Sequence, residues 1–161
     1  MGHNDGPESS EQRAWRNFLL AHARVLARVD ADLVAECDMT LAEYEVLLHL
    51  FEAPEHRLRM NELAELARLS PSGLTRRFDA LVRRGWVARE RCDEDRRGVL
   101  AQLTADGLER IDAARPVHAR GQRTHFGDVL GGDELELVAD AMARLASAND
   151  ANDRGGVLVD G

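Results

Sequence analysis

Between Arg68 and Arg97 the chain carries nine arginines and five acidic residues, a net charge of +4 within a total of −8. Residues 1–67 amount to −7 and residues 98–161 to −5, so positive charge is confined to one stretch. Clustered guanidinium groups suit a polyanion, because each offers a fork of donors that matches phosphate. Short hydroxyls accompany them, with Ser70, Ser72 and Thr75 preceding Arg76. Further on, Asp93–Thr104 reads DEDRRGVLAQLT, five consecutive charges and one glycine ahead of an apolar alternation. A solvated turn needs a glycine and one or two polar residues, so this tip holds more charge than turning requires. The acidic remainder of the chain opposes indiscriminate adhesion to the same polyanion.

Presenting these groups takes helices and a hairpin. The helix MNELAELARL buries Leu63, Leu66 and Ala67 and breaks at Leu69-Ser70-Pro71, where another starts at once. Serine is a good N-cap and proline fits the first helical position. The new helix, PSGLTRRFDALVRR, turns Leu74, Phe78, Leu81 and Val82 inward and stops at Gly85. Ser72, Arg76 and Arg83 then fall on its outward side. Two helices joined so tightly predict a helix-turn-helix. WVARERC, the charged tip and VLAQLT predict a β-hairpin, which completes a winged helix.

Upstream, Trp15, Phe18, Leu19, His22, Val25, Leu26, Val29 and Leu33 recur at helical steps, predicting one long helix from Glu11 to near Glu36–Asp38. Thr40 and Glu43 form a capping box for LAEYEVLLHLFEA, whose apolar face is Leu41, Tyr44, Leu47, Leu48 and Phe51. Pro54 stops that helix, and PEHRLR reads as a loop. Downstream, Thr104 caps a helix carrying Leu108 and Ile111. Pro116 should kink or briefly break it before it resumes through His118, His125, Phe126 and Leu130. Gly131-Gly132 ends it, and Asp133 and Glu136 cap a last helix with Leu135, Val138, Met142 and Leu145 inward.

The expected class is therefore mainly α with a small β-hairpin wing. A winged helix-turn-helix at 39–104 lies between dimerisation helices at 11–38 and 105–147. Residues 1–10 are expected to be disordered and 148–161 a flexible tail. The terminal helices are assigned to dimerisation because their apolar stripes exceed what one small domain covers.

At 161 residues the chain suits one domain. No apolar run approaches bilayer length, and the N-terminus MGHNDGPESS lacks an apolar signal core. Cys37 and Cys92 lie far apart without metal-like spacing, which suits a reducing cytoplasm. All 21 basic residues are arginine, which suggests GC-rich codon usage. No cofactor and no membrane association are expected. An enzyme is excluded on the same residues: there is no defensible nucleophile–base pair, phosphate loop or paired carboxylates.

The ordered set of these motifs resembles the MarR family of bacterial transcription regulators over about residues 11–147. Asp95-Arg96-Arg97-Gly98 running on to Leu103-Thr104 is similar to that family's wing signature, and LSPSGLTRRFDALVRRGWV to its recognition helix. The resemblance implies a homodimer on a pseudo-palindromic double-stranded operator, with half-sites about 10 base pairs apart. Ser70, Ser72, Thr75, Arg76 and Arg83 would meet the major groove or phosphates. Arg97 would enter the minor groove, held extended by Asp95, while Arg96 meets phosphate with support from Arg89 and Arg91. Repression is the default outcome of operator occupancy.

The resemblance also implies a small aromatic or phenolic effector, with Trp15, Phe18, His22, Tyr44 and Leu48 as candidate lining. Alternatives stay open. One is a winged-helix protein-interaction module, which the acidic balance permits. Another is metal sensing through His118 and His125 with His22 or His49, although no tight ligand spacing supports it. A third is redox sensing through Cys37 or Cys92, against which an inert thiol is the plainer reading.

Overall fold

Ser9 opens the first helix with a reciprocal cap: its hydroxyl accepts from the Gln12 amide, and the Gln12 side chain accepts from the Ser9 amide, both at 3.1 Å. The computed structural model describes residues 9–91 and 99–153. They form two compact units, one running up to Gln122 and the other starting at Arg123.

In the first unit, α1 (Ser10–Cys37) ends where Asp38 turns left-handed at φ 50°. Only its second half reaches the core, through Val29 and Leu33. The capping box of Thr40 and Glu43 opens α2 (Leu41–Glu52), as the sequence predicts. Asp30 of α1 adds a further cap, accepting from the Leu41 amide at 2.7 Å. α2 buries Leu41, Tyr44, Val46, Leu47 and Leu50, a broader face than expected, while Leu48 and Phe51 are half-buried. It lies against α1, α3, α4 and the sheet, so more than one stripe must be apolar.

The expected loop PEHRLR contains structure. A 3₁₀ turn (Pro54–His56) leads into β1 (Arg57–Arg59), which pairs antiparallel with β3. Three residues, two of them charged, are too few to show a strand period. Next come α3 (Met60–Leu66) and α4 (Pro71–Arg83). Leu66, expected inward, is 51% exposed. The inward face of α3 is centred between Leu63 and Ala64, and Leu66 sits about 110° from that centre at 100° per residue.

The wing is β2 (Val87–Arg91) and β3 (Val99–Leu103), so the sheet order is β1-β3-β2. Thr104 bridges to the last helix of this unit: its hydroxyl donates to the Gly85 carbonyl at 2.7 Å and accepts from the Gly107 amide at 3.0 Å. That helix, α5 (Ala105–His125), runs without interruption through Pro116, where a kink or a brief break was expected. Proline removes one hydrogen bond, but Ile111, Ala114, Val117 and Gly121 are buried on both sides of it and hold the helix. It ends at His125 rather than near Leu130.

The core joins these elements through Leu33, Leu47, Leu63, Phe78, Leu81, Trp86, Ala101 and Ile111, with no buried polar or charged residue among those described. The second unit holds a 3₁₀ turn (Gly127–Val129) and α6 (Gly132–Asp153). Its cap differs from the expected Asp133/Glu136 pair: the Glu134 carboxylate accepts from the Gly131 amide at 3.2 Å. α6 continues to Asp153, taking in residues 148–153 of the expected tail, because extending an established helix is cheap even for polar residues. No described helix is long and apolar enough to cross a membrane.

Candidate nucleic-acid interface

Ser70 builds the start of α4. Its hydroxyl accepts from the Gly73 amide at 3.1 Å, and Pro71 occupies the first turn, where it forfeits no helical bond. Ahead of it, Arg68 turns left-handed at φ 52°, which makes the corner between α3 and α4 tight. Leu74, Phe78 and Leu81 bury one side of α4. The opposite side carries Ser72, Arg76 and Arg83, as the helical phase predicts, with Thr75 on its flank, and all four are exposed.

The hydroxyls are not equivalent. Ser70 is committed to the cap and stands 3.3 Å from the Ser72 hydroxyl. Thr75 donates to the Pro71 carbonyl at 2.8 Å, which leaves its lone pairs to accept. Arg76 and Arg83 are exposed and form no ion pair with the described residues. Arg68 is also exposed and unpaired with the described residues, beside the start of α4. In the sequence Arg68 is one charge of the basic stretch, and only the corner geometry places it there.

Two other arginines of the basic stretch are occupied. Arg89 of β2 pairs with Asp79 of α4 at 2.5 Å, its guanidinium 5.1 Å from the Phe78 ring centroid. It braces the wing against α4. Arg84 is held by Asp38 and Glu43. The tip residues Asp95, Arg96 and Arg97, and Cys92 with them, lie outside the described residues, as does the Arg91 side chain.

The candidate effector residues divide into two groups. Trp15, Phe18 and His22 form a ladder of rings along α1, with centroids 5.9 and 6.2 Å apart, and Trp15 is 63% exposed. Tyr44 is buried, its ring stacked on His118 of α5 at 4.3 Å, and Leu48 is half-buried. Burial lowers the His118 pKa, only partly offset by Glu45, and raises that of the Tyr44 hydroxyl. Burial likewise pushes the Cys37 thiol up, away from the reactive thiolate. No group of three or more metal-ligating side chains occurs among the described residues.

The model of the MarR family matches residues 39–99. The structure is similar to AbsC, a MarR family transcriptional regulator from Streptomyces coelicolor, with TM-score 0.82 and 31% identity over 92% of this chain and 99% of that one. It is similar also to Sco3205, a MarR family transcriptional regulator from the same organism solved in complex with DNA. There the TM-score is 0.81 and identity 31%, covering 89% of this chain and 93% of that one. The transcriptional repressor YetL of Bacillus subtilis is 34% identical over 76 residues, 47% of this chain and 46% of YetL. The match thus spans less than half of that relative's length. With a helix-turn-helix, a wing and flanking helices in the same order and nearly full-length structural agreement, the chain belongs to the MarR family of transcription regulators.

Proposed function

We propose that this chain is a homodimeric, DNA-binding transcriptional repressor. The observation that carries the reading is the exposed face of α4, where Arg76 and Arg83 have no ion-pair partner among the described residues. A helix capped by Ser70 and backed by Leu74, Phe78 and Leu81 is rigid enough to enter a major groove. There Ser72, Thr75 and Arg76 meet base edges, and Ser70, Arg68 and Arg83 meet phosphate. In the wing, Arg97 enters the minor groove, Asp95 holds it extended and Arg96 meets phosphate. Sco3205, solved with DNA, and YetL, a repressor, support this reading.

The second copy covers the exposed apolar residues of the terminal helices, Trp15, Leu19 and Leu26 of α1 and Leu137 and Leu145 of α6. The effector is a small aromatic acid or phenol beside Trp15, Phe18 and His22, where His22 supplies a hydrogen bond. A thermal-shift panel of phenolic acids, followed by DNA-release assays on the hits, tests it.

The deciding experiment is fluorescence anisotropy with the DNA upstream of the protein's own gene, repeated across a salt series. Arg76→Ala, at base edges, should weaken binding about tenfold or more and relax sequence preference, and Arg97→Ala should weaken it as much and lower the salt slope by about one. Wild-type binding no tighter than to unrelated DNA sinks the proposal.

A further inference from the structure

Arg83 and Arg84 are adjacent and chemically identical, yet the fold gives them opposite surroundings. Arg83 is exposed, whereas the Arg84 side chain is only 29% exposed. Its Nη2 donates to the Asp38 carbonyl at 2.5 Å and to the Asp38 carboxylate at 2.6 Å. Its Nη1 reaches the Glu43 carboxylate at 3.5 Å, and its guanidinium lies 3.8 Å from the Trp86 ring centroid. Arg110 of α5 meets the same ring at 5.5 Å.

We infer that Arg84 is a positioning residue for DNA binding: it ties the C-terminal end of α4 to the corner between α1 and α2. The inference rests on the functional reading above. The electrostatics of the corner call for such a group. α1 has no basic residue in its last turn, and Asp38 adds a carboxylate where the helix dipole is already negative. Arg84, 46 residues away, supplies the missing cation. The corner is rigid on its own account, because Asp30 accepts from the Leu41 amide and Glu43 from the Thr40 amide. One Glu43 oxygen therefore caps α2 while the other faces Arg84. A planar guanidinium with forked donors and an aromatic face beneath it fixes direction as well as distance. Releasing it lets α4 tilt, which displaces Ser72 and Arg76 without removing any group from the DNA face.

The test uses upstream DNA and a salt series with the full-length wild type, Arg84→Met, Arg84→Lys and Arg83→Met. Arg84→Met should weaken binding about tenfold and leave the salt slope unchanged, since no phosphate contact is lost. Arg83→Met should instead lower the slope by about one. Arg84→Lys should recover part of the affinity, keeping the charge beside Asp38 but not the fork. Asp38→Asn, which keeps a residue tolerant of left-handed backbone, should act in the same direction as Arg84→Met and serves if that variant does not fold. A folded Arg84→Met with affinity within twofold of wild type overturns the inference, as does a slope lowered by one. A wild type with no preference for its upstream DNA overturns the functional reading, and this inference with it.

Discussion

Gly107 of α5 and the Trp86 carbonyl meet so closely that a Cβ on residue 107 would lie 1.9 Å from the oxygen. The contact seats the start of α5 against the base of the wing, where Thr104 already bridges Gly85 and Gly107. Backbone cannot yield there as a flexible side chain would. Gly107→Ala should therefore cost about 1–3 kcal/mol, read as a lower urea midpoint. Gly127→Ala, with nothing within 4 Å of the added carbon, should stay close to wild type.

Capping and DNA contact are separable at Ser70. Ser70→Ala removes the acceptor for the Gly73 amide and should cost about 1 kcal/mol in thermal or urea unfolding. Ser70→Asp keeps an acceptor and should retain stability. The same variant places a negative charge toward phosphate and should weaken DNA binding severalfold. Equal affinity of the aspartate variant and wild type would move the DNA face away from the start of α4.

Stability should fall in mild acid through His118. Its folded pKa lies below the ordinary imidazole value because burial against Tyr44 disfavours the cation. The unfolded chain then binds more protons in the interval between the two pKa values. The contribution is fully present above about pH 6.5 and is lost as pH falls through the lowered folded value. His118→Phe keeps a ring against Tyr44 and cannot titrate. Its unfolding free energy should depend less on pH than that of wild type over pH 5–7, as measured by urea titration.

Exposed apolar residues on α1 supply a test of assembly. Leu19 is 47% exposed and Trp15 63% exposed in the single chain. If a second copy covers them, Leu19→Asp should shift sedimentation from dimer to monomer at micromolar concentration, with the monomer still helical by circular dichroism. DNA affinity should fall with it, because one half-site alone is then bound. A wild-type monomer at these concentrations defeats the dimer.

Much of this molecule was legible in its sequence, because the signals that shape a helix are local. Thr40 with Glu43 and Ser70 with Pro71 announced helix starts within a few residues, and both caps form. The spacing of Leu74, Phe78 and Leu81 turned Ser72, Arg76 and Arg83 outward with no reference to the rest of the chain. Other features depend on residues brought together from afar. β1 exists because β3 offers its edge to Arg57–Arg59, and α5 survives Pro116 because Ile111, Ala114 and Val117 are buried around it. The arginines make the distinction plainest. By composition Arg83, Arg84 and Arg89 are equal members of one basic stretch. Asp38, Glu43 and Asp79 divide them, turning Arg84 and Arg89 into braces and leaving Arg83 exposed. Helical phase is written within a few residues, whereas a charge acquires its partner only when distant segments pack.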